Sequence, residues 1–363
     1  MTISRRSLMG LTAAAAASSL MPLTEALAKT PLADRRTVAE VLAMRPEDMA
    51  LASPRIALCR RFLTQAAKEL TDASLSRTIL SIFENPAPKI AAQKDAPLLA
   101  KLKAENLIDA ARTSVQPPAG NPKRSPQPFW TAPGSGWKSH HAYPGGLAVH
   151  CAVNVLSAQR LCDTYKEAPG LVLDLNAAVG GELLHDLHKP WVFAWQKDHT
   201  CRKEETLAKT GEHHVLSIAE SMKRGVPAKV CVAQACAHEV PGTPAGEALV
   251  AGWLRAAAVI AGKDPTEYGV AENGASFVRP IALEGFVVHL ADHDFVAAGP
   301  SCQWTAAELR TIFREKYGVT AEKDLNALRN YVFANFTAMR LYGRYAVGGK
   351  KALEDCVGKL IRL

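Results

Sequence analysis

The chain carries eight cysteines, Cys59, Cys151, Cys162, Cys201, Cys231, Cys236, Cys302 and Cys356, yet no two of them form a Cys-x-x-Cys pair. That absence argues against a zinc ribbon or a thioredoxin-like redox motif and leaves any disulfide pairing unassigned. No run of lysine and arginine interleaved with aromatics occurs, which argues against a dedicated nucleic-acid platform. Alternating apolar and polar runs of the β type are scarce, and there is no internal repeat. Beyond the first thirty or so positions, no segment is expected to reach the length needed to span a bilayer. Histidine is missing from the first 139 residues and from the last 70, so all 11 histidines fall between His140 and His293. A block of imidazoles this dense points to one metal or acid/base centre.

What is present sets the frame. With 363 residues, 48% of them apolar, the chain can bury a sizeable core. It begins MTISRRSLMGLTAAAAASSLMPLTEALAKT, in which Arg5 and Arg6 precede a short alanine-rich run and a small-residue cleavage site after Ala28. The SRRSLM core resembles twin-arginine signals, which implies export of the folded protein by the twin-arginine machinery to the periplasm, often with its cofactor loaded. Removing residues 1–28 takes away Arg5, Arg6 and Glu25, so the formal charge of +8 becomes +7. That mild positive bias suits an anionic small-molecule or nucleotide substrate. A soluble mature protein without stable membrane insertion is expected.

Apolar residues at three- and four-residue spacing predict helices within 33–115, in a helical N-terminal region taken as 29–115. Residues 116–139 are rich in Pro, Gly and Ser and form a boundary or a loop laid over a site. From 143 onward the pattern predicts helices at about 144–165, 173–188, 206–224, 226–239, 246–262, 280–297, 304–316 and 321–362. The expected fold is all-α, with a central domain at 140–298 and a C-terminal helical extension at 299–363. In such a fold, ligands for one centre come from several inward-facing helices.

The most informative stretch is LLHD, Leu183 to Asp186, at the end of an apolar helical segment. Neighbouring helical residues point about 100° apart, so His185 and Asp186 reach one ion together only from a helix end or a slightly distorted turn. His188, Lys189 and Pro190 supply that end. An unpaired Asp between Leu184 and Leu187 would be costly, so it is coordinated or hydrogen-bonded; a helix C-terminal hydrogen bond is the plainer alternative. His150 lies 35 residues upstream, in HHAYPGGLAVH, and Asp292 lies downstream, in VVHLADHD.

The order His150, His185-Asp186, Asp292 resembles the HD-domain metal-dependent phosphohydrolase superfamily. HHAYPGGLAVH and ALEGFVVHLADHDFVAA are similar to the opening and closing segments of HD domains in certain bacterial 3′-to-5′ exoribonucleases. The resemblance covers roughly 138–298. It implies that His150, His185, Asp186 and Asp292 surround one ion, that Asp186 bridges to a second, and that His214 and His238 complete the second site, with His214 preferred over His213. Imidazoles mixed with carboxylates suit Mn, Fe, Co, Ni or Zn. The implied reaction is hydrolysis of a phosphomonoester or phosphodiester by metal-activated water, with Asp186 central and Lys189 contacting a substrate phosphate. Lys189 as a surface residue at a helix end is the alternative.

The family usually reads HDxGK where this chain reads HDLHK. His188 then acts as a general acid, closes the pocket, or points to solvent. His140 and His141 touch the site or bond within their loop; His199, His289 and His293 are taken as structural. Glu182 either orients a ligand histidine or lies on a solvated face. Phe129, Trp130, Trp137, Tyr143, Trp191 and Trp195 either stack on a base or pack in the core. Two other functions use nearly the same ligands: a di-iron HD oxygenase, and an HD module that binds metal or ligand without turnover.

Overall fold

The computed structural model describes residues 30–92, 95–117 and 125–363; the twin-arginine-like segment lies outside them. The described chain is all-α apart from two-residue strands. Its helices are α1 (Val38–Leu42), α2 (Pro46–Leu51), α3 (Pro54–Lys68), α4 (Ala73–Glu84), α5 (Asp95–Ala104), α6 (Gly146–Glu167), α7 (Leu175–Leu184) and α8 (Lys189–Val192). They continue as α9 (Glu212–Lys223), α10 (Ala228–Ala235), α11 (Pro244–Ala261), α12 (Glu284–Ala291), α13 (Phe295–Tyr317), α14 (Glu322–Phe336) and α15 (Ala338–Leu360).

Local chemistry sets the helix ends. Thr37 and Glu40 form a capping box on α1, Ser53 accepts from the Ile56 amide at α3, and Asp174 accepts from the Asn176 amide at α7. Each such cap stabilises its helix by about 1 kcal/mol. Gly262 and Gly318 end α11 and α13 in the left-handed conformation. The predicted helix over 206–224 starts late, at Glu212. Ala208 and Lys209 both adopt positive φ and turn Thr206–Leu207 back onto Thr210–Gly211 as a small hairpin. The predicted 280–297 helix breaks at a short 3-10 turn, Asp292–Asp294, and α13 then runs on through Pro300. Thr337, with φ of 66°, splits the predicted 321–362 helix into α14 and α15.

The site-bearing helices pack as a bundle. α6 lies against α3, α7 and α12, while α7 lies against α10 and α9 against α11. α11 is long and apolar enough to cross a membrane, with mean hydropathy 1.2 over its 18 residues, contrary to the sequence expectation for this region. Its composition reflects burial, since Val250, Ala251, Leu254, Ala257 and Ile260 are sealed in the core. One hydrophobic cluster runs from Val41 to Ile361, and two smaller ones seat α12 through Val287, Val288 and Ala291. The N-terminal segment also docks on α14, where the Tyr331 hydroxyl donates to the Asp34 carbonyl at 2.9 Å and Ser53 Oγ to the Ala334 carbonyl at 2.7 Å. Residues Arg36–Thr37 pair in parallel with Ile361–Arg362.

Two glycines fix how the histidine-bearing loop enters α6. Gly145 has φ of +76°, and a Cβ there would meet the Ile56 side chain at 2.7 Å. A Cβ on Gly146 would meet the His141 carbonyl oxygen at 1.9 Å, so only glycine permits the loop to fold back this closely.

Candidate metal centre

Four elements deliver the central side chains. His150 stands in the second turn of α6; His185 caps α7 and Asp186 follows in the turn before α8; Asp292 caps α12. All four residues are at most 3% exposed. His150 Nε2 lies 3.1 Å from Asp186 Oδ2 and 3.1 Å from Asp292 Oδ1. His185 Nε2 lies 3.2 Å and 3.3 Å from the same two oxygens, and the two Nε2 atoms are 3.4 Å apart. Donors bound to one transition-metal ion at about 2.0–2.2 Å stand roughly 3.0–3.5 Å from one another, so this spacing fits the edges of a coordination shell. His150, His185 and Asp186 together could hold an ion.

The imidazoles are oriented from behind. His150 Nδ1 donates to Asp294 Oδ1 at 3.0 Å, and His185 Nδ1 donates to the Glu182 carbonyl at 2.8 Å. Both Nε2 atoms therefore face the carboxylates, the orientation a metal-ligating histidine needs. Asn154, one turn after His150, donates to Asp292 Oδ1 at 2.8 Å and fixes that carboxylate. His141 contributes to the same support, with Nε2 2.6 Å from Asp294 Oδ2 and Nδ1 2.8 Å from the Tyr143 hydroxyl. Glu182 is fully buried, with its carboxylate 3.5 Å from His185 Nδ1, so it does not lie on a solvated face.

Charge within the cluster is tightly linked. Burial disfavours protonation of His150 and His185, but the surrounding Asp294, Asp186 and Asp292 outweigh it and hold both imidazoles well above the usual histidine range. The imidazoles and Lys189 in turn hold Asp186 well below the carboxylate range despite its burial. Without an ion, protons occupy the gaps between donors; a divalent cation replaces that positive charge.

Lys189 is 2% exposed, so the surface reading is corrected: its ammonium bonds the Gly134 carbonyl and pairs with Asp186 Oδ2. His188 does not point to solvent either. It is fully buried near Trp191, both ring nitrogens lack a hydrogen bond, and burial with the neighbouring His213 pushes its pKa down to about 3.

A second group of imidazoles faces the other oxygens. Asp186 turns Oδ1 toward His213 Nε2 at 3.4 Å, and Asp292 turns Oδ2 toward His238 Nε2 at 3.5 Å. His213 is anchored through Nδ1 by Glu204. His214, the histidine preferred in the sequence, lies behind this pair. Its ring stacks on His238 at 4.4 Å and meets the edge of Trp253 at 4.7 Å, both its nitrogens lack a hydrogen bond, and burial pushes its pKa down to about 3. The histidine placed beside Asp186 is thus His213.

A pocket of about 350 Å³ opens over the centre, bordered by Ser135, Ser139 and His140 on one side and by His293 and Phe295 on the other. None of the six aromatics singled out in the sequence lines it. Phe129, Trp130, Tyr143 and Trp191 are core residues, and the Trp195 indole is tied to the Thr131 carbonyl. Asp294, Asn154, Glu204 and Phe295 were missed in the sequence. The DHDF run holding Asp294 and Phe295 was their one local signal.

Fold and site together define an all-α protein with a buried histidine and aspartate centre whose residues could hold metal ions. The chain is similar to the dihydroneopterin 2′,3′-cyclic phosphate phosphodiesterase of Methanocaldococcus jannaschii, with 23% identity over 176 residues. That match covers 48% of this chain and 58% of the relative, so it spans little more than half of that protein. No family model and no solved structure matches the chain.

Proposed function

We propose that the chain is a metal-dependent phosphohydrolase of the HD type that cleaves a phosphoester in a small anionic substrate, with a phosphodiester favoured. The observation that carries this reading is the convergence of His150, from a helix interior, His185 and Asp186, from the end of α7, and Asp292, from the end of α12, on one set of donor contacts of 3.1–3.4 Å. The similarity to a protein described as a cyclic phosphate phosphodiesterase supports hydrolysis over dioxygen chemistry.

In this reading, His150, His185, Asp186 and Asp292 would hold one divalent transition ion, and His213 and His238 would hold a second beside Asp186. When bound, such ions supply Lewis acidity to the phosphate and lower the pKa of a water. The protein's own residues do the rest. Asp294 and the Glu182 carbonyl keep the two imidazoles aimed inward, Lys189 places a positive charge at the pocket floor for a phosphate oxygen, and Phe295 with His140 gives the pocket an aromatic rim. The resemblance-based division into 29–115, 140–298 and 299–363, and export of the folded chain, belong to the same proposal.

The test is metal analysis of the purified protein alongside hydrolysis of bis(p-nitrophenyl) phosphate and 2′,3′-cyclic nucleotides. Chelation should abolish turnover, and Mn, Co, Fe, Ni or Zn should restore it. A fully loaded protein that hydrolyses no phosphoester but consumes dioxygen would overturn the proposal in favour of the oxygenase reading.

A further inference from the structure

A second cleft, of about 560 Å³, lies at the seam between α13, α14 and the 134–142 loop. At its base is Arg329 of α14, which is 3% exposed. Its Nη1 donates to the Ala142 carbonyl at 2.7 Å and to Asn330 Oδ1 at 3.0 Å, and its Nη2 lies 3.5 Å from Cys302 Sγ. The guanidinium also lies 4.3 Å from the Trp137 ring centre and 4.6 Å from that of Phe333. These partners occupy hydrogen atoms but bring no negative charge. Among the described residues no carboxylate pairs with Arg329; burial lowers its pKa, but a guanidinium keeps its proton at ordinary pH. A buried charge without a counter-ion is costly unless something supplies one.

The cleft's own acids do not supply it. Asp198 Oδ1 accepts from the Thr200 amide at 3.0 Å and its hydroxyl at 2.7 Å, and Glu322 is engaged by Arg310 and Arg314. Lys138 also lines the cleft. We propose that this cleft binds a small oxyanion, a carboxylate or a phosphate, on the Arg329 guanidinium, with Lys138 as the second cation. The site is separate from the metal pocket but shares a wall with it. Trp137 and Lys138 face the cleft, whereas Ser135, Ser139 and His140 of the same loop face the metal pocket.

The experiment titrates full-length, metal-loaded protein with sodium benzoate and, in a second arm, inorganic phosphate, at constant ionic strength. Binding is read from the Trp137 indole N–H resonance, assigned with Trp137→Phe. A saturable shift is expected with at least one anion, and the arm that saturates at lower concentration identifies the oxyanion class. Arg329→Gln should weaken it by about tenfold or more, and Lys138→Glu by a similar factor. Absence of a saturable shift in both arms, or binding unchanged in both variants, overturns the proposal. If Arg329→Gln does not fold, Lys138→Glu decides alone: weakened binding supports the site and unchanged binding rejects it.

Discussion

Asp294 holds His150 from the side opposite the nitrogen that faces Asp186 and Asp292: its Oδ1 accepts from Nδ1 at 3.0 Å across 144 positions of sequence. The bond fixes the tautomer and the ring plane, so Nε2 is presented as a lone pair. Asp294→Ala should therefore lower metal affinity by about 10- to 100-fold while leaving the four donor residues in place. Metal titration by calorimetry checks this, and unaltered affinity would show that His150 is held by packing alone.

Asp186 and Lys189 should separate in their effects. Asp186 faces two imidazoles with one oxygen and His213 with the other, so Asp186→Ala should empty the centre and abolish turnover. Lys189→Met should keep metal but raise KM by about tenfold or more, from loss of a charge-assisted contact of about 1.5–3 kcal/mol. Metal content measured beside the kinetics separates the two. Normal metal content and turnover in Asp186→Ala would reduce the His-Asp pair to a helix cap.

For the adjacent histidines, His213→Ala should reduce bound metal from two ions to one. His214→Ala should instead cost about 1–3 kcal/mol of stability, because its ring fills the space between His238 and Trp253. Metal stoichiometry and thermal melts of both variants decide between them; the reverse pattern would make His214 the ligand.

Metal removal should matter more at high pH. His150 and His185 have raised folded pKa values in the metal-free protein, so the stability they contribute is full below about pH 6.5 and is lost as pH rises through those values. A bound ion does the opposite, because its ligands must shed protons. Chelation should thus lower Tm more at pH 8.5 than at pH 6. At a free metal concentration about a thousand times Kd, the loss would correspond to about 4 kcal/mol. A drop in Tm that is the same at both pH values would argue against the protonated cluster.

All eight cysteines are buried free thiols, and burial pushes Cys59, Cys201, Cys231 and Cys236 up to about 12. At pH 8 only about one in ten thousand of these four would be thiolate. Iodoacetamide should label the native protein very slowly and add eight groups after denaturation, as counted by mass spectrometry. Rapid native labelling of any of the four would contradict their burial.

That these four residues lie together is legible because the order His150, His185-Asp186, Asp292 resembles the HD pattern, and because the 3.6-residue period marks the helices that bear them. Asp294, Asn154 and Glu204 were not, since each acts through a partner brought near only by packing. The choice between His213 and His214 turned on one residue of helical phase, about 100°, which a hydrophobic pattern alone does not fix when both positions are buried. For Lys189 and Glu182 the pattern leaves both a site role and a surface role open, because charged side chains are usually exposed; the structure buries both, Lys189 paired with Asp186, and Glu182 in surroundings that push its carboxyl well above the usual carboxylate range.

The pairing of Arg36–Thr37 with Ile361–Arg362 has a consequence in time. Ile361 is made 325 residues after Arg36, which at about 5–20 residues per second is a wait of about 15 to 65 s during synthesis. Asp292, the last inner donor, is made 69 residues before Ile361, so the donor set is complete in the growing chain while the N-terminal strand still lacks its partner. Final closure of the fold therefore waits on the last residues made, and the ribosome's pace sets that interval.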